Sequence, residues 1–232
     1  MEETGKNPIQ VAERLFQVIE RLAENGPMGI MDLSAELGFH KSTTHRLVTS
    51  LQYMGYIRQD EESLKYALSL KFLEIGSKIL EQTNMASLIH PSLKKLSEQT
   101  GETVHLVRRE GTEAVYIDKV ESTVSSIRMV SRVGSRIPLY CSGVGKALLA
   151  ELPDPEIEDI WNSSEITSLT PYTVTSLSDL MDRIRGVREA GYAMDDEENE
   201  EGVRCIAVSI PDYHKEPVYA LSISAPVSRM TD

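Results

Sequence analysis

The sequence predicts an α+β protein in two parts: a small helical domain closed by a hairpin, then a larger domain on an antiparallel sheet. Three observations carry that reading. Apolar residues recur at helical spacing over the first seventy-five positions and end in a short alternating segment. From Glu102 the apolar period changes to two. Helical patterns then return in the middle of the chain before strand patterns close it, the order expected of segregated helices and sheet.

Each element has its own signal. In "IQVAERLFQVIERLAENG", Val11, Leu15, Val18, Ile19 and Leu22 fall at helical spacing, with Gly26 as the stop. In "IMDLSAELGF", Ile30, Leu33 and Leu37 face inward and Gly38 follows the last periodic residue. The third helix is "HKSTTHRLVTSLQYMG". Leu47, Val48, Leu51 and Met54 form its apolar stripe, Thr44 packs inward through its methyl, and Gly55 closes it. "YIRQDEESLKYAL" then alternates as a hairpin around the acidic turn Asp60–Ser63. Helix, helix, polar-fronted helix and hairpin make a winged helix-turn-helix. Such a third helix buries one side and offers its amino-terminal turns to a DNA groove. The residues so offered are Lys41, Ser42, Thr43, His45, Arg46 and Thr49. Ser and Thr are short enough for close approach to phosphate, while Lys41 and Arg46 reach phosphate or guanine. A solvated helix of a three-helix bundle is the plain alternative, and the hairpin directly after it counts against that. His45 alone could equally be a surface or capping residue.

A linker helix follows, with Phe72, Ile75 and Ile79 as a stripe flanked by Leu68 and Leu80. It serves either packing or subunit pairing. An interruption near Thr83–Asn84 precedes a helix with Pro91 in an early turn and Gly101 as its stop. The expected domains are therefore 1–70, a linker 71–83, and 84–232. In the larger domain, "TVHLVRRE" and "EAVYIDKVES" pair across "EGTE", and "SIRMVSRVGSRIPLY" continues as strand and loop. Helices follow in "GKALLA", "DPEIEDIWNS" and "SLSDLMDRIRGVREAGYA", and strands in "GVRCIAVSIPDY" and "PVYALSISAP".

Composition bounds the chemistry. The 232 residues are 41% apolar and 26% charged, as in ordinary globular proteins, and no apolar run could span a membrane. The amino terminus has no signal-peptide core, so the expected compartment is the cytoplasm, where Cys141 and Cys205 would be free thiols. The net charge of −12 opposes nucleic-acid binding in sum but not in distribution. Residues 1–75 carry 8 Lys and Arg against 11 Asp and Glu, and Leu37–Gln59 contains no acidic residue at all. "CSGVGKALLAELP" resembles a phosphate cradle but lacks the first glycine and the Ser or Thr after lysine, so no nucleotide cofactor is expected. Its glycines could still offer N–H groups to an anion at a helix start. Lys146 is expected on the helix surface, Cys205 in the core, and "DDEENEE" as a solvated charge run.

The motifs "HKSTTHRLVTSLQYMGYI", "SGVGKALLA", "DDEENEEGVRCIAVSI" and "ALSISAP" together resemble the IclR (isocitrate lyase regulator) family of bacterial transcription regulators over nearly the whole chain. The resemblance implies a GAF-like effector-binding domain, a pseudo-palindromic DNA operator, and a homodimer or tetramer. It also implies a small carboxylate or sugar acid held by Gly143, Val144, Asp195, Cys205, Ser222 and Ser224. Ser222 and Ser224 flank Ile223, which puts both hydroxyls on one face of a strand. Ser209 and Pro211 depart from the family pattern, and Cys141 could narrow the pocket. The rival reading is a GAF-like thiol enzyme using Cys205 or Cys141, but no histidine stands in a known catalytic spacing to either. A metal site from Asp195, Glu197, Cys205 and His214 follows no recognised ligand spacing, and neither metal nor cofactor is expected.

Overall fold

The computed structural model describes residues 8–82, 84–122, 131–211 and 216–231. Chain contacts divide it into two compact units, Met1–Gln82 and Thr83–Asp232.

In the first unit, α1 (Gln10–Asn25), α2 (Ile30–Leu37) and α3 (Lys41–Tyr53) enclose a core of Val18, Leu22, Leu33, Leu47, Val48 and Leu51. Gly38 ends α2 in the left-handed region, where a Cβ would be strained. The hairpin is β1 (Ile57–Gln59) with β2 (Tyr66–Leu68), antiparallel as the alternation predicts. Backbone bonds of 2.9 and 2.8 Å between Met28 and Tyr66 tie it to the helices. Thr44 is fully buried, as the pattern requires. Met54 is not: it stands 39% exposed, because the helix ends there and Leu47, Val48 and Leu51 already fill the inward face.

The next helix, α4 (Lys71–Gln82), belongs to this unit and packs by its first turn. Phe72 packs against Tyr56 with the rings tilted by 52° and their centres 5.3 Å apart. The Lys71 ammonium lies 4.3 Å over the Tyr56 ring and donates to the Met54 carbonyl at 2.7 Å, supplying a cation at the carboxyl end of α3. The rest of the stripe is open. Leu73 and Ile79 are more than half exposed and Ile75 is 39% exposed; the expected break at Thr83 and the side chain of Leu80 lie outside the described residues.

The second unit opens with α5 (Asn84–Thr100), so Pro91 sits mid-helix and not in an early turn. Proline forfeits one backbone bond there. The helix persists because Leu93, with Ile89 and Leu96 beside it, packs against Val104 and Leu106 of the sheet. That sheet has six antiparallel strands in the order β5-β4-β3-β8-β7-β6. The strands are β3 (Thr103–Glu110), β4 (Glu113–Val120), β5 (Arg136–Pro138), β6 (Ala193–Asp196), β7 (Val203–Ile210) and β8 (Tyr219–Pro226). The opposite face carries α6 (Gly143–Ala150), α7 (Asp154–Asn162) and α8 (Leu177–Ala190) over a core centred on Leu148, Leu149, Ile157, Leu180 and Ile184. This is the fold class the sequence predicts. The strand expected in "SIRMVSRVGSRIPLY" survives as β5; residues 123–130 lie outside the described part.

Candidate functional site

Two regions bring predicted functional residues together. On α3, Lys41, Ser42, His45, Arg46 and Thr49 are exposed and Thr43 is half-buried, while Thr44, Leu47 and Val48 point into the core. Helical periodicity thus separates the polar face from the apolar one as expected. No side chain caps the start of α3, and its first turn contains no acidic residue. His45 Nδ1 lies 3.5 Å from the Thr49 hydroxyl one turn on. Thr43 and Arg46 border a crevice against α1 that also holds Arg14, whose guanidinium lies 5.4 Å over the Phe39 ring. Sequence reasoning passed over Arg14, since on α1 it reads as one more charge on a solvated face.

The second region is a cavity of about 500 Å³ in the larger unit, against the sheet. Strand register builds it. Asp195 of β6 faces Cys205 of β7, and Cys205 faces Ser224 of β8, so the three stand in one row on one side of the sheet. One row along, Ser222 faces His105 of β3. A bulge between Leu106 and Val107 re-aims β4, and Tyr116 comes to rest 5.0 Å from the His105 ring. Asp195, Cys205, His105, Tyr116, Ser131 and Glu200 all line the cavity. Ser222 and Ser224 lie behind His105, within 3.4 and 3.3 Å of its Nδ1, so they reach the cavity through that ring.

The glycine turn has a role the sequence did not suggest. Ser142 caps α6, accepting from the Gly145 N–H at 3.1 Å and donating to the Pro138 carbonyl at 2.6 Å. A Cβ added at Gly143 would meet Asp195 and Ala207 at 3.5 Å, and Val144 is 3% exposed in the main core. Neither lines the cavity; Gly143 brings the start of α6 close to Asp195, leaving room there for no more than a small side chain. Cys141 is likewise fully buried in that core and does not narrow the pocket.

Lys146 overturns its expectation. It is 1% exposed, and its ammonium is paired with the Glu198 carboxylate, itself 3% exposed. "DDEENEE" is consequently no solvated run: its turn folds inward at Asp195 and Glu198. Asp195 Oδ1 accepts the N–H groups of Glu198 and Asn199 at 2.9 and 3.3 Å, while the Thr170 and Thr173 hydroxyls donate to the Glu197 and Glu198 carbonyls, each at 2.6 Å. Glu197 takes a left-handed backbone, φ 59°, and its carboxylate turns away to accept from the Gly202 N–H. Among the described residues no three His, Cys, Asp or Glu side chains gather as a metal site, and His214 lies outside them.

Burial pushes the Asp195 carboxyl up to about 6 despite the opposing pull of Lys146. A group whose folded pKa is raised stabilises fully below its unfolded value and loses that contribution as pH rises through the folded one. Asp195→Asn keeps the acceptor for the turn and removes the titration. The variant should therefore melt above wild type at pH 7, with the gain fading as pH falls from about 6 toward 4. Thermal melts across that range check it, and a pH-independent difference would contradict the buried carboxyl. Burial, with Asp195 beside it in each case, also raises both Cys141 and Cys205 to about 12. Thiols this inert make poor nucleophiles.

Residues 11–61 match the IclR helix-turn-helix domain, and residues 77–232 match the bacterial transcriptional regulator IclR C-terminal domain. The chain belongs to the IclR family. It is 36% identical to the transcriptional repressor IclR of Escherichia coli over 97% of this chain and 82% of that one. It is 37% identical to the acetate operon repressor of Salmonella typhimurium with the same coverage. The crystal structure of Thermotoga maritima IclR superposes with a TM-score of 0.80 at 32% identity, covering 96% of this chain and 90% of that one. The protein is a DNA-binding transcriptional regulator and not an enzyme, which sets aside the thiol-catalyst reading. Among the described residues no helix is long and apolar enough to cross a membrane.

Proposed function

We propose that the protein is a repressor of a catabolic operon. It grips a pseudo-palindromic operator with α3 and loosens or tightens that grip when a small organic acid or sugar acid occupies the cavity of the larger domain. The observation that carries this reading is the exposed, acid-free face of α3, set on a chain whose net charge is −12. A surface that escapes so general an acidity is suited to phosphate. The wing is suited to a lesser role. Its tip, Asp60–Glu62, is acidic, leaving Arg58 and Lys65 at the stem as its cations. Lys41, Ser42, Thr43, His45, Arg46 and Thr49 are the DNA-facing set. Asp195 and Cys205 with Ser222 and Ser224 behind them form the effector set, supported by Gly143 and Val144. Asp195 takes a ligand hydroxyl, since its charge would oppose a carboxylate.

A two-fold operator calls for paired subunits, and the open apolar stripe of α4 supports a homodimer or tetramer formed partly through the linker 71–83. Duplexes enriched from a random-sequence pool by the wild-type chain should carry a two-fold repeat, its halves about one helical turn or a multiple apart. On those duplexes Arg46→Ala should bind about 1–3 kcal/mol more weakly, with a flatter salt dependence and an unchanged melting temperature. Wild-type affinity in that variant would remove α3 from the interface.

A further inference from the structure

The inner wall of the cavity is a chain of hydrogen bonds. Cys205 Sγ donates to Ser224 Oγ at 3.0 Å. The Ser222 and Ser224 hydroxyls meet His105 Nδ1, and on the other edge of the ring Nε2 lies 2.8 Å from Ser131 Oγ. His105, Ser222 and Ser224 are each at most 4% exposed, so bulk water does not satisfy them.

Proton counting gives this chain a direction. Each serine hydroxyl carries one proton that needs an acceptor. Among the described residues, Nδ1 is the acceptor within reach of Ser222; Ser224 has besides it only the thiol, which already donates. Nδ1 therefore keeps its lone pair. Burial, with the Lys119 charge nearby, pushes His105 down to about 3, so the ring is neutral at physiological pH. A neutral imidazole accepting at Nδ1 carries its proton on Nε2 and must donate it to Ser131. The Ser131 oxygen then accepts with one of its lone pairs, and its own proton is left for the cavity it lines.

We propose that Ser131 is an effector-contacting hydrogen-bond donor, aimed into the cavity by a one-way relay running Cys205, Ser224, His105, Ser131. His105 is the positioning residue: it converts the serines of β8, which do not reach the cavity, into a proton presented at its wall. Asp195 stands on the same cavity as an acceptor. A ligand that satisfies both offers an acceptor oxygen to Ser131 and a hydroxyl to Asp195, which are the two ends of a hydroxy acid. This rests on the reading of the cavity as the effector site.

Two measurements on the full chain separate the relay from that reading. Nitrogen-15 spectra of labelled histidine, without ligand, should show His105 as the Nε2–H tautomer from pH 7 to about pH 5. An Nδ1–H tautomer overturns the relay whatever binds. Calorimetry with acetate, lactate and gluconate as probes is the second. Ser131→Ala should weaken those that wild type binds by roughly 10–100-fold, and Ser131→Thr should restore them. Unchanged affinity in Ser131→Ala overturns the assignment of Ser131. If wild type binds none of the three while His105 is Nε2–H, the carboxylate reading of the cavity falls and the relay stands.

Discussion

Lys146→Met should destabilise the larger domain by about 3–5 kcal/mol, the usual cost of stranding one partner of a buried ion pair. The lysine is shut between α6 and the 195–200 turn, and its removal leaves the Glu198 carboxylate without a cation. One oxygen of that carboxylate, Oε2, already lacks a hydrogen-bond partner among the described residues, so nothing nearby could compensate. The double change Lys146→Met with Glu198→Gln should recover most of the loss, because discharging both partners removes the desolvation cost together with the attraction. Trp161 is the single tryptophan and packs edge-on against Tyr140 in the same core, 6.0 Å between centres. Its fluorescence during chemical denaturation therefore reports the domain concerned. If the single variant unfolded within about 1 kcal/mol of wild type, the ion pair would not be as buried as described.

Gly145→Ala should also be costly, although helix propensity says the opposite. Alanine in a helix interior is favoured over glycine by about 1 kcal/mol. At Gly145 an added Cβ would lie 2.2 Å from the Leu139 carbonyl oxygen and 2.3 Å from its Cα. Both are backbone atoms with no rotamer to yield, so α6 or the strand end before it must shift. Overpacking a rigid core costs about 1–3 kcal/mol, and more where backbone has to move. The contact wins over propensity. Gly186, in the middle of α8 with nothing near its would-be Cβ, is the control: Gly186→Ala should stabilise by up to about 1 kcal/mol. Equal and favourable effects at both glycines would show that the close approach at Leu139 is not what holds Gly145.

These two residues mark where sequence reasoning stopped. Gly145 and Lys146 sit in a stretch whose glycines invite an anion, and both serve packing: one admits a neighbouring backbone, the other closes an internal charge. The identities of the elements were legible because periodicity is local. The polar and apolar sides of α3 separate at a spacing of 3.6, the β strands alternate at two, and Gly38 stops its helix where a left-handed residue is needed. Thr44 could be placed inside for the same reason, and Ser222 and Ser224 on one face.

The sequence by itself determined the fold class, the acid-free face of α3 and the order of the elements except β6, whose residues read as a helix end and a solvated charge run. Each depends on residues within a turn or two of one another. Only the tertiary structure decided which residues meet in the cavity. The row Asp195, Cys205, Ser224 exists because β6, β7 and β8 pair in one register, and a slip of one residue would turn any of the three to the other face. His105 joins them from a strand far earlier in the chain, on the strength of β3 lying beside β8. Lys146 went inward for a like reason: its partner Glu198 lies in a distant charge run, and a lysine is buried only where the fold delivers a counter-ion to it.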